Sequence, residues 1–397
     1  MQIHTPATPL TSRLRDRLAT VQFRQRYRRR RHLEGPQGRE ICLDNKTLLN
    51  FCSNDYLGLA NDPRIIAALK RGADQYGVGS GASHLVVGHS RVHQQLELAL
   101  ADFTQRERAL VFTNGYSANM AVIRALAGEG DVVWQDRLNH ASLLDGGWIS
   151  RAEVRWFAHR DYHQLQQLLR DTELQSEQQH LIASDGVFSM DGDMADIASL
   201  THIARTHNAC LMIDDAHGFG VLGEQGRGSV SACEFNGEAV PVLVGTLGKA
   251  FGTAGAFVAG SDELIEWLIQ SARNYIFSTA MPSAIAAATL CSLHIVQTEQ
   301  WRRDHLNELI HYFSHCARQM QLPLLHSTTP IQPLLLNDSA TCLRVSQALE
   351  QLGIYAAAIR PPTVPENSSR IRVTLSAAHC RSDIDKLIEA LVKSIRA

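Results

Sequence analysis

A single lysine lies in the longest apolar stretch of the sequence, VLVGTLGKAFGTAGAFVAG, which covers residues 242–260. Lys249 is its only ionisable residue, and five glycines accompany it. An amine held in apolar surroundings has a lowered pKa, so that more of it is neutral and nucleophilic near neutral pH. The stretch therefore favours a catalytic lysine over the alternative, a lysine whose ammonium group extends to the surface.

The same stretch is a poor transmembrane helix. Glycines and a central lysine are costly in a bilayer, and no second candidate span exists. Two short buried strands that flank a glycine-rich turn account for the composition better. We expect no membrane contact.

Two acids and a histidine follow another apolar run, in Cys-Leu-Met-Ile-Asp-Asp-Ala-His, which ends at His217. Asp214 and His217 at the end of a strand would suit either a hydrogen-bonded network or a metal site. A metal site usually needs a third or fourth ligand at a recognisable spacing, and His89 and His93 lack the glutamate of the H-E-x-x-H pattern. The sequence therefore predicts no metal.

A third candidate is the turn Thr113-Asn-Gly-Tyr-Ser-Ala-Asn119, where a strand gives way to a helix. Free N–H groups at a helix N-terminus favour a phosphate, and glycine lets the anion approach closely. Alone this observation is weak, because Asn-Gly occurs in many turns.

Short apolar runs alternate with helical segments and predict an α/β fold with a mostly parallel sheet. Ligands of such sheets bind at the carboxyl ends of the strands. The expected strands are Ala109–Thr113, Asp131–Gln135, Val154–Ala158, His180–Ser184, Cys210–Asp214, Pro241–Gly245 and Ala254–Ala259. The expected parts are an N-terminal helical arm (1–50), a large α/β domain (51–287) and a small C-terminal α+β domain (288–397).

In the C-terminal part, the alternation Arg370-Ile-Arg-Val-Thr-Leu predicts a half-exposed antiparallel strand, and an amphipathic helix is expected over Ser382–Ile395. The arm is rich in arginine, and we expect it to pack as a helix onto one of the domains. Within residues 1–33, a single acid, Asp16, stands against Arg13, Arg15, Arg17, Arg24, Arg26 and Arg28 to Arg31.

The whole chain is nearly neutral, with 38 basic and 40 acidic residues, and 45% of its 397 residues are hydrophobic. These values exclude a mainly disordered chain. The near-neutral charge also argues against nucleic-acid binding through overall electrostatic attraction. Eight cysteines without C-x-x-C pairs indicate reduced thiols and a cytoplasmic protein.

Several motifs in one order resemble the fold-type I pyridoxal 5'-phosphate enzymes, and among them the α-oxoamine synthases. Two further segments, Ile359-Arg-Pro-Pro-Thr-Val-Pro365 and Thr374-Leu-Ser-Ala-Ala-His379, resemble the 8-amino-7-oxononanoate synthase family in particular. The motifs shared with the wider family are Ser53–Leu59, Leu138–Leu143, Gly186–Asp193, Asp214–Gly218 and Thr246–Lys249.

The resemblance implies four catalytic roles. Lys249 would carry the cofactor as an aldimine and later remove the α-proton of the amino-acid substrate. Asp214 would face the pyridine nitrogen, His217 the phenolic oxygen, and His140 would lie over the ring.

The resemblance also implies the other binding residues. The remaining cofactor contacts would be Gly115, Tyr116, Ser189 and Thr246, with Ser278 and Thr279 reaching the phosphate of a neighbouring subunit in a homodimer. The substrate contacts would be Arg24, Asn54, His140, Thr363 and Arg360, with Arg360 holding the substrate carboxylate.

The implied reaction is the decarboxylating condensation of L-alanine with a pimeloyl thioester, either pimeloyl-CoA or pimeloyl-acyl carrier protein, in biotin biosynthesis. Sibling activities, glycine C-acetyltransferase and 5-aminolevulinate synthase, are the nearest alternatives, and a non-catalytic nucleic-acid-binding relative is a remote one. Arg28 to Arg31 could meet the donor's phosphates or an acidic carrier. Ala82, Asp185 and Phe219 depart from the family pattern and could alter acyl selectivity.

Overall fold

The structure, a computed structural model, describes residues 8–24, 26–172 and 178–396. Its helices are α1 (Pro9–Phe23), α2 (Pro63–Tyr76), α3 (Arg91–Thr104), α4 (Gly115–Leu126), α5 (Ala141–Ser150), α6 (Tyr162–Arg170), α7 (Ile197–Thr206), α8 (Ser229–Ala232), α9 (Asp262–Ser271), α10 (Arg273–Ile276), α11 (Ser283–Thr298), α12 (Gln300–Gln319), α13 (Ser339–Gln351) and α14 (Arg381–Arg396). Among these helices, none combines the length and the apolar character needed to cross a bilayer.

The strands form three sheets. They are β1 (Leu33–Glu34), β2 (Glu40–Leu43), β3 (Lys46–Asn50), β4 (Arg108–Phe112), β5 (Val132–Asp136), β6 (Glu153–Phe157), β7 (His180–Asp185), β8 (Cys210–Asp214), β9 (Val242–Thr246), β10 (Ala256–Gly260), β11 (Ile331–Asn337), β12 (Ile354–Tyr355), β13 (Ala357–Ile359) and β14 (Ser369–Thr374). The two smaller sheets have the orders β1-β2-β3-β12 and β11-β14-β13.

The large sheet has seven strands in the order β4-β10-β9-β8-β7-β5-β6. Strands β5 to β9 are parallel to their neighbours within this set, and β10 runs antiparallel to both β4 and β9. The inner strands are apolar along their whole length because helices cover both faces of the sheet. Each of the seven predicted strands is confirmed, with ends that differ by at most two residues.

Strand β14 differs from its prediction. All six of its residues are buried, and it lies between β11 and β13, antiparallel to both. The alternation of arginine with apolar residues does not mark a solvated face here. Arg370 pairs with Asp191, and Arg372 Nε donates to the carbonyl of Ser189, so the segment after β7 covers that face.

The arm also differs from its prediction. Helix α1 contains no buried residue, and Leu10, Leu14 and Leu18 on one side of it are 65%, 48% and 52% exposed. The expectation that it packs onto one of the domains is therefore wrong for α1 within this chain, whereas residues 33–50 of the arm form β1 to β3 and contribute Leu49 to the core. The predicted boundary at residue 287 falls inside α11, so the division into domains stays a prediction.

Candidate active site

The sheet brings the predicted chemistry to one edge. Strands β5, β7, β8 and β9 are parallel, so their carboxyl ends lie together. Asp214 is the last residue of β8, and its partner in the ladder is Asp185, the last residue of β7. Lys249 follows β9 by three residues, and His140 begins the helix after β5.

Lys249 is the first member of a hydrogen-bonded chain. Its Nζ lies 2.8 Å from Nε2 of His217, whose Nδ1 lies 2.5 Å from the hydroxyl of Tyr56. Burial lowers the pKa of Lys249 to about 8, although Asp214 and Asp185 oppose that change. Burial also sets the pKa of His217 well below its ordinary value, with the charge of Lys249 adding to the effect. The imidazole is therefore neutral.

The positions of the protons along the Lys249–His217–Tyr56 hydrogen bonds follow from Tyr56, the last residue of the three. Burial raises the pKa of Tyr56 to about 12, so its hydroxyl stays protonated and donates to Nδ1 of His217. The tautomer that remains carries its proton on Nε2 and donates it to Lys249. That arrangement favours the neutral, nucleophilic amine.

Asp214 is held as an acceptor in the buried wall of the site. Its Oδ1 accepts the N–H of Ala216 at 2.9 Å, and its Oδ2 accepts from Nδ2 of Asn119 at 2.5 Å. The same amide nitrogen donates to Ser142, while Oδ1 of Asn119 is buried without a hydrogen-bond partner. Burial, reinforced by the charge of Asp214, raises the pKa of neighbouring Asp185 well above its ordinary value.

His140 caps helix α5 and faces the mouth of the site. Its Nδ1 contacts the hydroxyl of Ser142 at 2.7 Å, and its backbone N–H donates to Asp185 at 2.6 Å. Its ring centroid is 6.2 Å from that of Tyr116, in an edge-on arrangement. The residue is exposed, yet the protein that surrounds its ring lowers its pKa by desolvation.

The turn predicted to bind phosphate adjoins the lysine strand. Helix α4 begins at Gly115, with Asn114 as its N-cap. A Cβ added to Gly115 would have Thr246 Cβ, at 4.0 Å, as its nearest neighbour. Gly115, Tyr116 and Thr246 therefore meet around the N-terminus of α4, which leaves N–H groups for an anion.

A cavity of about 540 Å³ opens beside His140 and unites several other predicted residues. Ser189 and Thr363 line it, together with Arg28 and Arg137. Arg28 Nη2 donates to the hydroxyl of Thr363 at 3.1 Å, whereas Arg31 forms ion pairs with Asp44 and Glu350. Of the predicted basic run, Arg28 is thus at the cavity and Arg31 is tied to the protein surface.

Other predicted residues lie elsewhere within the described chain. Arg24 ends α1, and its side chain is exposed. Thr279 forms an isolated bridge with Ser83 on an edge that carries exposed apolar side chains. Arg360 follows β13, and its electrostatic neighbours are Cys342 and Arg28.

Arg372 is a site residue that the sequence interpretation missed. It is 7% exposed and donates to Ser189, Thr374 and Asn54. It also interacts with the hydroxyl of Tyr56, and no described carboxylate pairs with it. Its charge lowers the pKa of both Lys249 and His217, after the larger effect of burial. A buried cation without a counter-ion beside a reactive amine indicates a site for an anionic group.

Phe219, named above as a departure from the family pattern, belongs to the core. It is 1% exposed and stacks on Phe251 with ring centroids 5.1 Å apart. It also meets Phe103 and Phe257. It does not line the cavity beside His140.

Comparisons with known proteins agree with this geometry. The profile of the aminotransferase class I and II family matches residues 46–391. An 8-amino-7-oxononanoate synthase from Nitrosococcus oceani is 54% identical over 378 residues, which cover 94% of this chain and 100% of that protein. The solved structure of a 8-amino-7-oxononanoate synthase from Francisella tularensis has a TM-score of 0.77 and 30% identity, and it covers 88% of this chain and 98% of its own.

A solved serine palmitoyltransferase from S. paucimobilis has a TM-score of 0.92 and 28% identity, over 98% of this chain and 99% of its own. That protein contains an aldimine of pyridoxal 5'-phosphate with myriocin. The residues here fit the same cofactor. Lys249 offers an amine for its aldehyde, Asp214 a carboxylate for its ring nitrogen, and the N-terminus of α4 a cradle for its phosphate. Oδ1 of Asn119 is buried without a hydrogen-bond partner, so this wall of the site can accept one more hydrogen bond.

The fold is thus that of the fold-type I enzymes, with pyridoxal 5'-phosphate as the cofactor. This chain aligns with nearly the whole length of several 8-amino-7-oxononanoate synthases, so its family can be assigned more narrowly than its fold. The chain belongs to the 8-amino-7-oxononanoate synthase family of pyridoxal 5'-phosphate-dependent acyltransferases.

Proposed function

We propose that the chain condenses L-alanine with a pimeloyl thioester and releases 8-amino-7-oxononanoate, carbon dioxide and the free thiol, a step of biotin biosynthesis. The observation that carries the proposal is the Lys249–His217–Tyr56 chain beside Asp214, in a protein 53–54% identical to several named synthases. The segment 359–365, which resembles this family in particular, supports alanine and a pimeloyl group over the sibling substrates.

Lys249 has two tasks in this proposal. The neutral Nζ would hold the aldehyde end of the cofactor, and the same nitrogen would accept the proton from Cα of alanine. When bound, pyridoxal 5'-phosphate supplies an electron sink for the negative charge that develops on Cα. Asp214 would hold the ring nitrogen of the cofactor, His217 its phenolic oxygen, and His140 would lie beside its ring.

Arg372 is our preferred partner for the carboxylate of alanine. Its guanidinium can pair with a carboxylate, and Asn54 and Ser189 hold it in place. Arg360, which the resemblance implies for this role, stays a candidate.

The cavity beside His140 is our candidate for the acyl donor. Its walls include Leu138, Leu144, Met190 and Val364, which suit a methylene chain. Arg28 and Arg137 add positive charge for the anionic parts of the donor.

We further propose a homodimer in which Ser278 and Thr279 reach the cofactor phosphate of the partner. Around this segment, Val86, Val87 and Phe277 are 72%, 78% and 69% exposed, more apolar surface than a monomer leaves uncovered. The eight free cysteines support a reducing, cytoplasmic location.

The test is product analysis by mass spectrometry of the purified holoenzyme. L-Alanine and glycine are each supplied with pimeloyl-CoA, acetyl-CoA and succinyl-CoA, and pimeloyl-acyl carrier protein is added as a fourth donor. The proposal expects 8-amino-7-oxononanoate from alanine and a pimeloyl thioester as the dominant product. Turnover that requires glycine and a shorter donor would assign a sibling activity instead.

A further inference from the structure

Three histidines outside the active site converge where α3 begins. His84 lies in the π-helical turn His84–Gly88, His89 ends that turn, and His93 lies in the first turn of α3. One ring nitrogen of each lies within 4.8 Å of the others. His89 and His93 attracted notice in the sequence only for their spacing, and the fold adds His84 to them.

The rings are oriented as metal ligands usually are. Nδ1 of His84 and Nδ1 of His89 face each other at 2.9 Å. Nε2 of His93 donates to the carbonyl of Met281 at 2.8 Å, and Nε2 of His89 points to Oε2 of Glu97 at 3.9 Å. In metal sites the nitrogen that does not bind the ion typically donates to such a carbonyl or carboxylate.

The surroundings also leave space for the ion. A cavity of about 340 Å³, lined by His84, His89, Glu97 and Tyr275, adjoins the rings and has room for a water ligand.

We propose that His84, His89 and His93 bind a late first-row divalent cation of the zinc class through their Nδ1 atoms, with Glu97 orienting His89. Imidazole nitrogens suit this class of ion. Two nitrogens on a tetrahedral zinc lie about 3.3 Å apart, given Zn–N bonds of about 2.0–2.1 Å. The ring nitrogens lie within 4.8 Å of one another, so the widest separation has to close by up to about 1.5 Å. The proposal departs from the sequence-based expectation of no metal.

Three local contacts must change when the ion binds. The proton shared by the two facing Nδ1 atoms moves to Nε2 of the ring that carries it, so no proton is lost overall. Nδ1 of His93 gives up two contacts with Ser90, one with its backbone N–H at 3.1 Å and one with its hydroxyl at 3.0 Å. That hydroxyl also contacts Ser283 at 2.9 Å and keeps this partner.

The experiment measures metal binding by the holoenzyme, prepared without a histidine tag and stripped with a chelator. Zn²⁺ affinity is determined by competition with a chromophoric chelator, and Co²⁺ by its visible ligand-field bands. We expect about one ion per chain with tetrahedral Co²⁺ bands. We expect Glu97→Gln to weaken Zn²⁺ binding by about tenfold and His89→Gln by more, since loss of an orienting partner alone typically costs 10- to 100-fold.

The matched control removes another histidine pair with the same spacing. His311 and His315 lie four residues apart on α12 and are exposed, so His311→Gln with His315→Gln should leave the tight site intact. Intact absorption of the bound cofactor shows that each variant has folded. A wild-type protein without tetrahedral Co²⁺ bands, or one that binds Zn²⁺ no more tightly than His89→Gln, would overturn the proposal whatever the other variants do.

Discussion

Lys249 owes its reactivity to a neutral hydrogen-bonded chain rather than to a carboxylate partner. Its nearest polar neighbour is His217, which is kept uncharged by burial, and Tyr56 fixes the tautomer of that ring. The amine therefore loses its proton at a lower pH than a solvent-exposed lysine does.

The hydrogen-bonded chain of Lys249, His217 and Tyr56 gives the first prediction. It concerns the rate at which pyridoxal 5'-phosphate attaches to the apoenzyme. Only the neutral amine attacks the aldehyde, so the attachment rate should rise with pH through about 8, the lowered pKa of Lys249, rather than through its ordinary value of 10.5. Stopped-flow absorbance of the bound cofactor measures the rate. Lys249→Ala should show no covalent attachment, and a midpoint near 10 would contradict the role assigned to burial.

The second prediction separates the two arginine candidates for the carboxylate of alanine. Arg372→Lys keeps the charge but loses the bidentate geometry, and we expect the KM for alanine to rise about 10- to 100-fold, because hydrogen bonds to charged groups contribute about 1.5–3 kcal/mol. Steady-state kinetics of the two substrates checks this.

Arg370→Lys is the matched control for Arg372→Lys, since Arg370 lies on the same strand and is paired with Asp191. Its KM for alanine should change little. A larger rise of that KM in Arg360→Lys than in Arg372→Lys would favour the residue that the resemblance implies.

At the site, the sequence predicted the residues that follow the parallel strands and missed those that arrive from elsewhere. Lys249, Asp214 and His217 could be found because strand ends meet at one edge. Arg372 and Asn119 reach the same place from β14 and from inside α4. The one available sequence signal for Arg372 was arginine alternating in an apolar strand, which is equally typical of a solvated face.

At the scale of elements, apolar runs identified every strand of the large sheet because helices bury both faces of it. The burial of β14 could not be predicted in this way, since it depends on the segment 189–191 that packs over it. The sequence correctly predicted that α1 is a helix. Its packing could not be predicted, because it depends on which surface faces the apolar side of the helix.

A network between strand-end loops gives the third prediction. His159, after β6, lies 3.0 Å from Asp136 at the end of β5 and 2.9 Å from Asp193 after β7. Burial alone would lower its pKa, but the hydrogen bonds to the two carboxylates outweigh it and raise the pKa to about 9.

A pKa raised above the unfolded value of 6.5 stabilises the fold fully below that pH, and the contribution disappears as pH rises towards about 9. His159→Gln should therefore cost about 2 kcal/mol of unfolding free energy at pH 6 and much less at pH 9.5. Urea unfolding at the two pH values measures the difference, provided that unfolding is reversible. A cost that does not depend on pH would mean that His159 acts through packing alone.

At the scale of the whole molecule, the proposed dimer makes the fourth prediction. Lys249→Ala and the double variant Ser278→Ala with Thr279→Ala should each be inactive or weakly active when pure. If the two segments meet across the interface, a mixed dimer has one site that is intact at all these positions. Co-refolded equal mixtures should then recover about a quarter of wild-type activity, since half of the dimers are mixed and half of their sites are whole.

Mixing at low temperature without subunit exchange is the control for this recovery. Absence of recovery after verified exchange would mean that Ser278 and Thr279 serve the cofactor of their own chain, or none.

The course of helix α11 bears on how the molecule loses its structure. Its 16 residues run across the predicted domain boundary, and the largest apolar cluster contains Leu49, Phe257, Ile295 and Leu391 together. Neither side of the boundary can melt without exposing apolar surface that belongs to the other. Heat or denaturant should therefore unfold both sides in one cooperative step. A substitution that destabilises the C-terminal helix α14 should also destabilise the distant cofactor site.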